Sequence, residues 1–361
     1  MIGSSPKLSI CIPAYNRPEE LREVLQSIAK QQTGNWDILV CEDHSPRQVE
    51  IVQVVRNFSN EHQAIDIHYL SNEKNLGYDG NLRRLLDNAS GEYCLFLGDD
   101  DLLADGALTR VIEAVSRPNV GVVLRAWKSV DKQTGKDIEQ HRYFGKDLIF
   151  PAGASSVAAF FRRSVFISGL TVNRAVSQRF HTDRFDGMLL YQLYLVGQIL
   201  LEMDGYYISD VVAIRRVGGE HFFGSSESEK IRFSPGQLLS SQSLIFIKGL
   251  LDIAAYLDQQ TGIGVYKMIA QDLGHYSYPM LEIQAQLLTK KEYSNYAQKL
   301  AKLGLGSYRC FWLYHYALMT LGPRVCNWMI RTAKRVLGST PILGSSSGQI
   351  VRQRTCQRLN K

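Results

Sequence analysis

The chain lacks any uninterrupted apolar window of about 18 residues, the length a bilayer crossing requires, so an integral membrane protein is not indicated. It also lacks a basic leader and a long apolar region at its start. MIGSSPKLSICIPAYNR runs directly into a strand-like segment, and a cytoplasmic location is the expectation. Cys11, Cys41, Cys94, Cys310, Cys326 and Cys356 are scattered, with no CxxC and no Cys/His cluster at metal-ligand spacing. The first three read as small core residues in strands. No internal repeat is visible, and the one low-complexity piece, Gly344-Ser345-Ser346-Ser347-Gly348, reads as a flexible hinge. Acid is missing from the end of the chain. From Tyr293 onward there are eleven Lys or Arg and no Asp or Glu, so an overall charge of +6 divides into an acidic body and a basic tail.

With 45% apolar and 21% charged residues the composition is that of a soluble globular protein. A length of 361 residues accommodates an α/β core of roughly 200 to 250 residues plus a smaller second unit. Over the first ~125 residues, short apolar runs rich in β-branched residues alternate with stretches of helical period. The runs are Leu8–Ile12, Ile38–Cys41, Ile65–Leu70, Tyr93–Leu97 and Val120–Trp127. Between them lie predicted helices Glu19–Gln31, Val49–Phe58, Asn81–Asn88 and Gly106–Val115. This alternation predicts βαβ units and a mostly parallel sheet with helices on both faces. Residues 128–150 read as a polar excursion. A helical stretch Ala154–Phe161, a strand Val165–Val172, a helix from about Gly187 to Val196 and a strand Tyr206–Arg216 follow. From Pro235 the pattern is helical, and breaks near Thr261-Gly262, Pro279, Thr289 and Gly304-Leu305-Gly306 predict four helices. The expected organisation is a catalytic domain over 1–234, with a nucleotide-binding half at 7–127 and an acceptor half at 150–234. A helical region (235–337) and a basic flexible tail (338–361) complete it.

Ligands of an open parallel sheet bind beyond the carboxyl ends of its strands. Three consecutive strand ends here carry polar groups: Pro13-Ala14-Tyr15-Asn16-Arg17, Glu42-Asp43-His44-Ser45 and Gly98-Asp99-Asp100-Asp101. Adjacent carboxylates repel and raise one another's pKa, a cost that a hard divalent cation such as Mg²⁺ or Mn²⁺ removes while leaving positions for phosphate. On these residues alone, one Asp capping the next helix with the others solvated is an equal alternative.

Four stretches in register resemble glycosyltransferase family 2, the nucleotide-sugar glycosyltransferases. Leu8–Arg17 is similar to the opening strand and turn of that family, and Ile38–Ser45 to its "VVDDGS" strand end. Asn75-Leu76-Gly77-Tyr78-Asp79-Gly80-Asn81, followed by Gly91–Leu97, is similar to its "NxGxxxxxN...GEYIxFLD" stretch. The resemblance covers about residues 7–220. It implies a GT-A fold, a nucleotide-diphosphate sugar donor, a divalent metal and inversion at the anomeric carbon. Carried over, it places Pro13, Ala14, Tyr15, Asn16, Arg17, Glu42, Asp43, Asn75, Gly77 and Asn81 around the donor, with Asp43 on the base or ribose. Asp99 and Asp101 fill the D-x-D positions. The common "FLDSDD" puts its first acid where this chain has Gly98, and on that alignment Asp100 and Asp101 are the metal-side pair, Asp101 foremost. The resemblance also implies a carboxylate base in an "ED" pair before a helix. Asp186 stands at the family spacing before Gly197, with Phe185 in place of the Glu, and Asp183 is the runner-up; helix capping is the alternative for both. His221, in a loop with two glycines after two arginines, is a candidate for the metal or the leaving diphosphate.

Tyr308–Leu321 and Arg324–Leu337 mix aromatic, aliphatic and basic residues, a pattern that fits either an anionic membrane interface or a packed helix with a solvated basic face. Because bacterial members of the family glycosylate lipid-linked acceptors, the resemblance favours the membrane surface and a glycan or lipid-linked acceptor. Nucleic acid is not expected as a partner, since no recognition motif accompanies the basic tail. The competing readings are a nucleotidyltransferase, whose Gly-rich basic signature Pro13–Arg17 lacks, and a non-catalytic sugar-nucleotide-binding protein.

Overall fold

The computed structural model describes residues 7–32, 34–219, 222, 224–234 and 240–337, without the side chains of 331 and 333–337. His221 and the tail 338–361 lie outside the described residues. The chain divides into two units, 1–237 and 238–361.

In the first unit the elements run β1 (Leu8–Ala14), α1 (Pro18–Ala29), β2 (Trp36–Glu42), α2 (Gln48–Glu61), β3 (Ile67–Ser71), α3 (Gly77–Asn88), β4 (Tyr93–Phe96), β5 (Leu102–Leu103) and α4 (Ala107–Val115). They continue as β6 (Val120–Asp131), β7 (Asp137–His141), β8 (Leu148–Phe150), α5 (Ala154–Phe160), β9 (Thr171–Asn173), α6 (Arg174–Arg179), α7 (Tyr191–Glu202), β10 (Asp204–Val217) and α8 (Glu227–Lys230). The sheet order is β3-β2-β1-β4-β9-β6-β10-β5, with β7 on β6 and β8 on β10. Strands β1 to β4 pair in parallel, as do β6 and β10. β9 is antiparallel to both β4 and β6 and joins the two parallel sets.

Strands β1 and β2 are buried nearly throughout, as continuous apolar runs covered on both faces should be. Leu8, Ile10 and Ile12 of β1, Ile38 and Val40 of β2, and Leu21, Val24, Leu25 and Ile28 of α1 share one core with Ile51 and Val55 of α2. Pro18 opens α1, where a missing N–H costs nothing.

Two segments differ from expectation. The predicted strand Val165–Val172 is a strand only from Thr171. Before it a 3₁₀ turn spans Arg162–Ser164, and the carbonyls of Phe166 and Ser168 are turned onto Arg125. The polar excursion 128–150 carries structure of its own: β6 continues to Asp131 and returns as β7, with Asp131 Oδ1 accepting the Gln133 and Thr134 amides at the turn.

The second unit holds five helices among its described residues, not four: α9 (Ser240–Thr261), α10 (Val265–His275), α11 (Tyr278–Leu287), α12 (Lys290–Lys302) and α13 (Arg309–Leu337). Thr289 and Glu292 form a capping box that starts α12. Gly322, with non-helical backbone angles, and Pro323 kink α13.

Candidate active site

The turn after β1 is tied to the turn after β4. Asn16 adopts φ of 61°, and the amide of Tyr15 donates to Asp99 Oδ2 at 2.9 Å. Arg17 Nη1 donates to Asp99 Oδ1 at 2.7 Å and lies 3.3 Å from Asp100 Oδ2. The three aspartates therefore do different things. Asp99 is buried and spent on holding Tyr15 and Arg17; burial pushes its carboxyl up to about 6, although Arg17 pulls the other way. Asp101 is buried and accepts the Ser168 hydroxyl, and burial followed by the charge of Asp100 pushes it up to about 7. Asp100 is the half-exposed one. Arg125 supports this arrangement from below. Fully buried, it donates to the Ser168 carbonyl at 2.6 Å and the Phe166 carbonyl at 2.8 Å, and burial lowers its pKa to about 10. Arg216 Nε donates to the Asp100 carbonyl at 2.6 Å.

The end of β2 is equally self-contained. Glu42 accepts the amides of His44 at 3.0 Å and Ser45 at 2.8 Å. Asp43 is buried and both its oxygens are engaged: Oδ1 accepts Asn72 Nδ2 and the Leu76 amide, each at 2.8 Å, and Oδ2 accepts the Gly77 amide at 2.9 Å. Burial pushes this carboxyl up to about 6. Asn81 Nδ2 donates to the Cys41 carbonyl at 3.0 Å, and Asn75 Oδ1 accepts the Gly77 amide at 2.9 Å.

Helix α3 then fixes two further segments. Asp79, which the sequence reading did not single out, is buried and accepts the amides of Leu189, Leu190 and Tyr191 at 2.9 to 3.0 Å, capping α7. One turn on, Arg83 holds Asp186 with both arms: Nη2 reaches Oδ2 at 2.6 Å, Nη1 bonds Oδ1, and Nη1 also reaches the Thr182 carbonyl at 3.0 Å. Asp183 contributes its carbonyl to the Asp186 amide at 3.0 Å while its side chain is exposed. Glu229, likewise unforeseen, is buried and accepts the amides of Tyr78 at 2.7 Å and Gly224 at 2.8 Å. Its segment packs so closely that a Cβ on Gly77 (φ 76°) would lie 2.5 Å from Ser226 Oγ. One on Gly187 (φ 73°) would lie 2.2 Å from the Ser228 carbonyl oxygen.

Together these segments enclose a cleft of about 770 Å³ bordered by Tyr15, His44, Ser45, Lys74, Asn75, Leu76, Asp186 and the stretch Ser225–Ser228. Of the residues expected around the donor or at the reacting centre, Tyr15, Asn75 and Asp186 border it. Pro13, Ala14, Asn16, Arg17, Glu42, Asp43, Gly77, Asn81 and the aspartate triplet are not on its border. The Asp43 carboxylate is held by the 72–77 turn, with Oδ2 accepting the Gly77 amide alone.

A cleft at the carboxyl ends of a parallel β3-β2-β1-β4 set, bordered across from them by Asp186 and Ser225–Ser228, in a sheet that continues into a mixed half, is the arrangement of the GT-A fold. A mannosyltransferase, PcManGT from Pyrobaculum calidifontis, solved with GDP-Man and Mn²⁺, shares the fold at TM-score 0.51 and 14% identity. The match covers 90% of this chain and 88% of that one. Residues 9–175, a little under half of the chain, match the family model of glycosyl transferase family 2. Among curated relatives, the GalNAc(5)-diNAcBac-PP-undecaprenol beta-1,3-glucosyltransferase of Campylobacter jejuni is 30% identical over 181 residues, 49% of this chain and 56% of that protein. The abequosyltransferase RfbV of Salmonella typhimurium is 40% identical over 104 residues, 28% of this chain and 30% of that protein. The chain thus spans just over half the length of the first and under a third of the second.

Proposed function

We propose that the protein is an inverting glycosyltransferase that moves a sugar from a nucleotide-diphosphate donor to a hydroxyl of a glycan or lipid-linked acceptor in cell-surface polysaccharide synthesis. The observation that carries this reading is that Tyr15, Asn75 and Asp186, from three separate segments, border one cleft. The Campylobacter relative, which acts on an undecaprenol-diphosphate-linked glycan by its name, supports the lipid-linked acceptor.

In this reading Asp186 accepts the acceptor proton as the hydroxyl oxygen bonds to the anomeric carbon and the bond to the diphosphate breaks on the opposite face. Arg83 orients Asp186, and Asp183 is the alternative base. The donor set at the triplet fits a hard divalent cation: Asp100 is half-exposed, and beside it Asp101 is a buried carboxyl whose ionisation an adjacent cation would favour. When bound, Mg²⁺ or Mn²⁺ neutralises charge on the leaving diphosphate. The engagement of Asp99 by Arg17 and Tyr15 supports Asp100 and Asp101 as the metal-side pair.

No helix among the described residues is long and apolar enough to cross a membrane. We place the protein peripherally on the inner face of the cell membrane through α13, where Tyr316, Val325, Trp328 and Met329 are exposed in a region without acidic residues. Trp328→Ala should reduce sedimentation with anionic liposomes; unchanged sedimentation refutes this placement.

The transfer itself is tested by incubating the purified chain and Mn²⁺ with UDP-, GDP-, CDP- and dTDP-sugars, with and without a polyprenyl-diphosphate-linked glycan. Acceptor-dependent release of nucleoside diphosphate is expected, and it should vanish in Asp186→Asn while donor binding persists. Undiminished turnover in that variant removes Asp186 as base, and absence of transfer with every donor and acceptor removes the reading.

A further inference from the structure

At the end of β2 and β3 remote from the cleft, three potential metal ligands meet. The parallel register pairs Ile38 with Ile67 and Leu39 with His68, which sets Asp37 beside Asp66 one step earlier. The Ile38 amide donates to the Asp66 carbonyl at 2.9 Å at that point. Side chains two residues apart on a strand share a face, so Asp66 and His68 lie on the face of Asp37. One ligand atom from each of the three falls within 4.8 Å of the others, and His68 Nε2 is 3.2 Å from Asp66 Oδ1.

Asp37 supplies an independent sign of a missing partner. It is only 2% exposed, one of its oxygens accepts the Ser90 hydroxyl, and its Oδ1 is buried with no hydrogen-bond partner. A buried carboxylate oxygen left unpaired is costly, and nothing in the proposed transfer reaction uses it. Asp66 and His68 are exposed, so solvent has access from one side.

We propose that Asp37, Asp66 and His68 bind a divalent cation, Zn²⁺ by preference, that ties the edge strand β3 to β2. Two carboxylate oxygens and an imidazole nitrogen suit Zn²⁺ better than Mg²⁺ or Ca²⁺, which favour all-oxygen shells. Around Zn²⁺ at bond lengths near 2.1 Å, tetrahedral ligand atoms stand about 3.4 Å apart, a contraction that the two exposed side chains supply by rotation. Water fills the fourth position, and the Ser90 hydroxyl orients Asp37 as an outer partner. No spacing motif announces such a site, because its ligands come from two strands and meet only through their register.

The test uses the full chain after chelator treatment, titrated with ZnCl₂ by calorimetry and followed in parallel by thermal melting. The expected result is one Zn²⁺ per chain that raises the melting temperature and survives in Asp100→Asn. His68→Ala, an exposed change, should melt like the metal-free wild type, bind Zn²⁺ at least about 100-fold more weakly and lose the upward shift. Asp66→Asn should behave alike, and both should keep any Mn²⁺-dependent donor binding. Wild-type Zn²⁺ binding that disappears in Asp100→Asn, or that is unchanged in His68→Ala, overturns the proposal.

Discussion

Asp79 offers a quantitative test of how the candidate base is held. Its carboxyl is buried, caps α7 with three amide bonds, and is pushed by burial up to about 7 from an ordinary value of 3.8. Between those two values the folded chain keeps the proton and the unfolded chain has released it. Stability contributed by this group is therefore fully present below pH 3.8 and is lost as pH rises towards 7. One proton corresponds to about 1.4 kcal/mol per pH unit, so the whole window amounts to about 4 kcal/mol. Asp79→Asn keeps an amide oxygen as acceptor and removes the titration. Urea unfolding at a series of pH values from 4.5 to 8.5 should show the variant gaining on the wild type by about 1.4 kcal/mol per unit up to about pH 7, then levelling. Parallel stability curves would mean that the three amides, which favour the ionised form, balance the burial. A gain of opposite sign would mean that they prevail.

Three other outcomes follow from the same geometry. Arg83→Ala should lower kcat about 100-fold with donor affinity retained, because it frees Asp186 to leave its position; a change confined to KM would place Arg83 on the donor instead. Gly187→Ala forces a Cβ to 2.2 Å from the Ser228 carbonyl at φ of 73°. The Ser225–Ser228 wall must shift, at a cost of about 1 to 3 kcal/mol, and donor binding measured by calorimetry should weaken; unchanged affinity would remove that wall from the donor site. Asp100→Asn should raise the Mn²⁺ concentration needed for half-maximal transfer, whereas an unshifted Mn²⁺ titration would exclude Asp100 as a ligand.

The alternation of buried β-branched runs with helical period made β1 to β4 and their helices legible, because strands covered on both faces leave continuous apolar stretches in sequence. β9 was harder. Three residues suffice for it between β4 and β6, and the apolar run ahead of them is bent by the demand of Arg125 for the carbonyls of Phe166 and Ser168. At the site, polar residues after each strand marked the right end of the sheet, but residue type does not tell which carboxylates face the cleft and which bond the backbone. Asp43, Asp99 and Asp101 look alike in sequence; in the fold they accept amides, Arg17 and Ser168 respectively. Asp79 and Glu229 escaped notice because the amides that Asp79 accepts, and the Tyr78 amide that Glu229 accepts, are more than 100 residues away, which no spacing encodes.

The stretch 77–83 therefore acts mainly as a frame. Within two turns, the Gly77 amide holds Asp43, the Tyr78 amide holds Glu229, Asp79 caps α7, the Asn81 side chain holds the Cys41 carbonyl, and Arg83 clamps Asp186. The end of β2, the Glu229 segment, the start of α7 and the candidate base are all bonded to this one short stretch. Such a frame gives substitutions here a signature distinct from that of donor contacts. Removing a contact that binds ground state and transition state alike raises KM alone. Loosening a frame misplaces the base relative to the sugar and lowers kcat. Asn81→Ala should thus lower kcat and thermal stability together, since it removes the bonds of Asn81 to the Cys41 carbonyl and to Asn72 beneath the cleft, while the dissociation constant for the donor changes little. A rise in that constant with kcat preserved would return Asn81 to the donor-binding set.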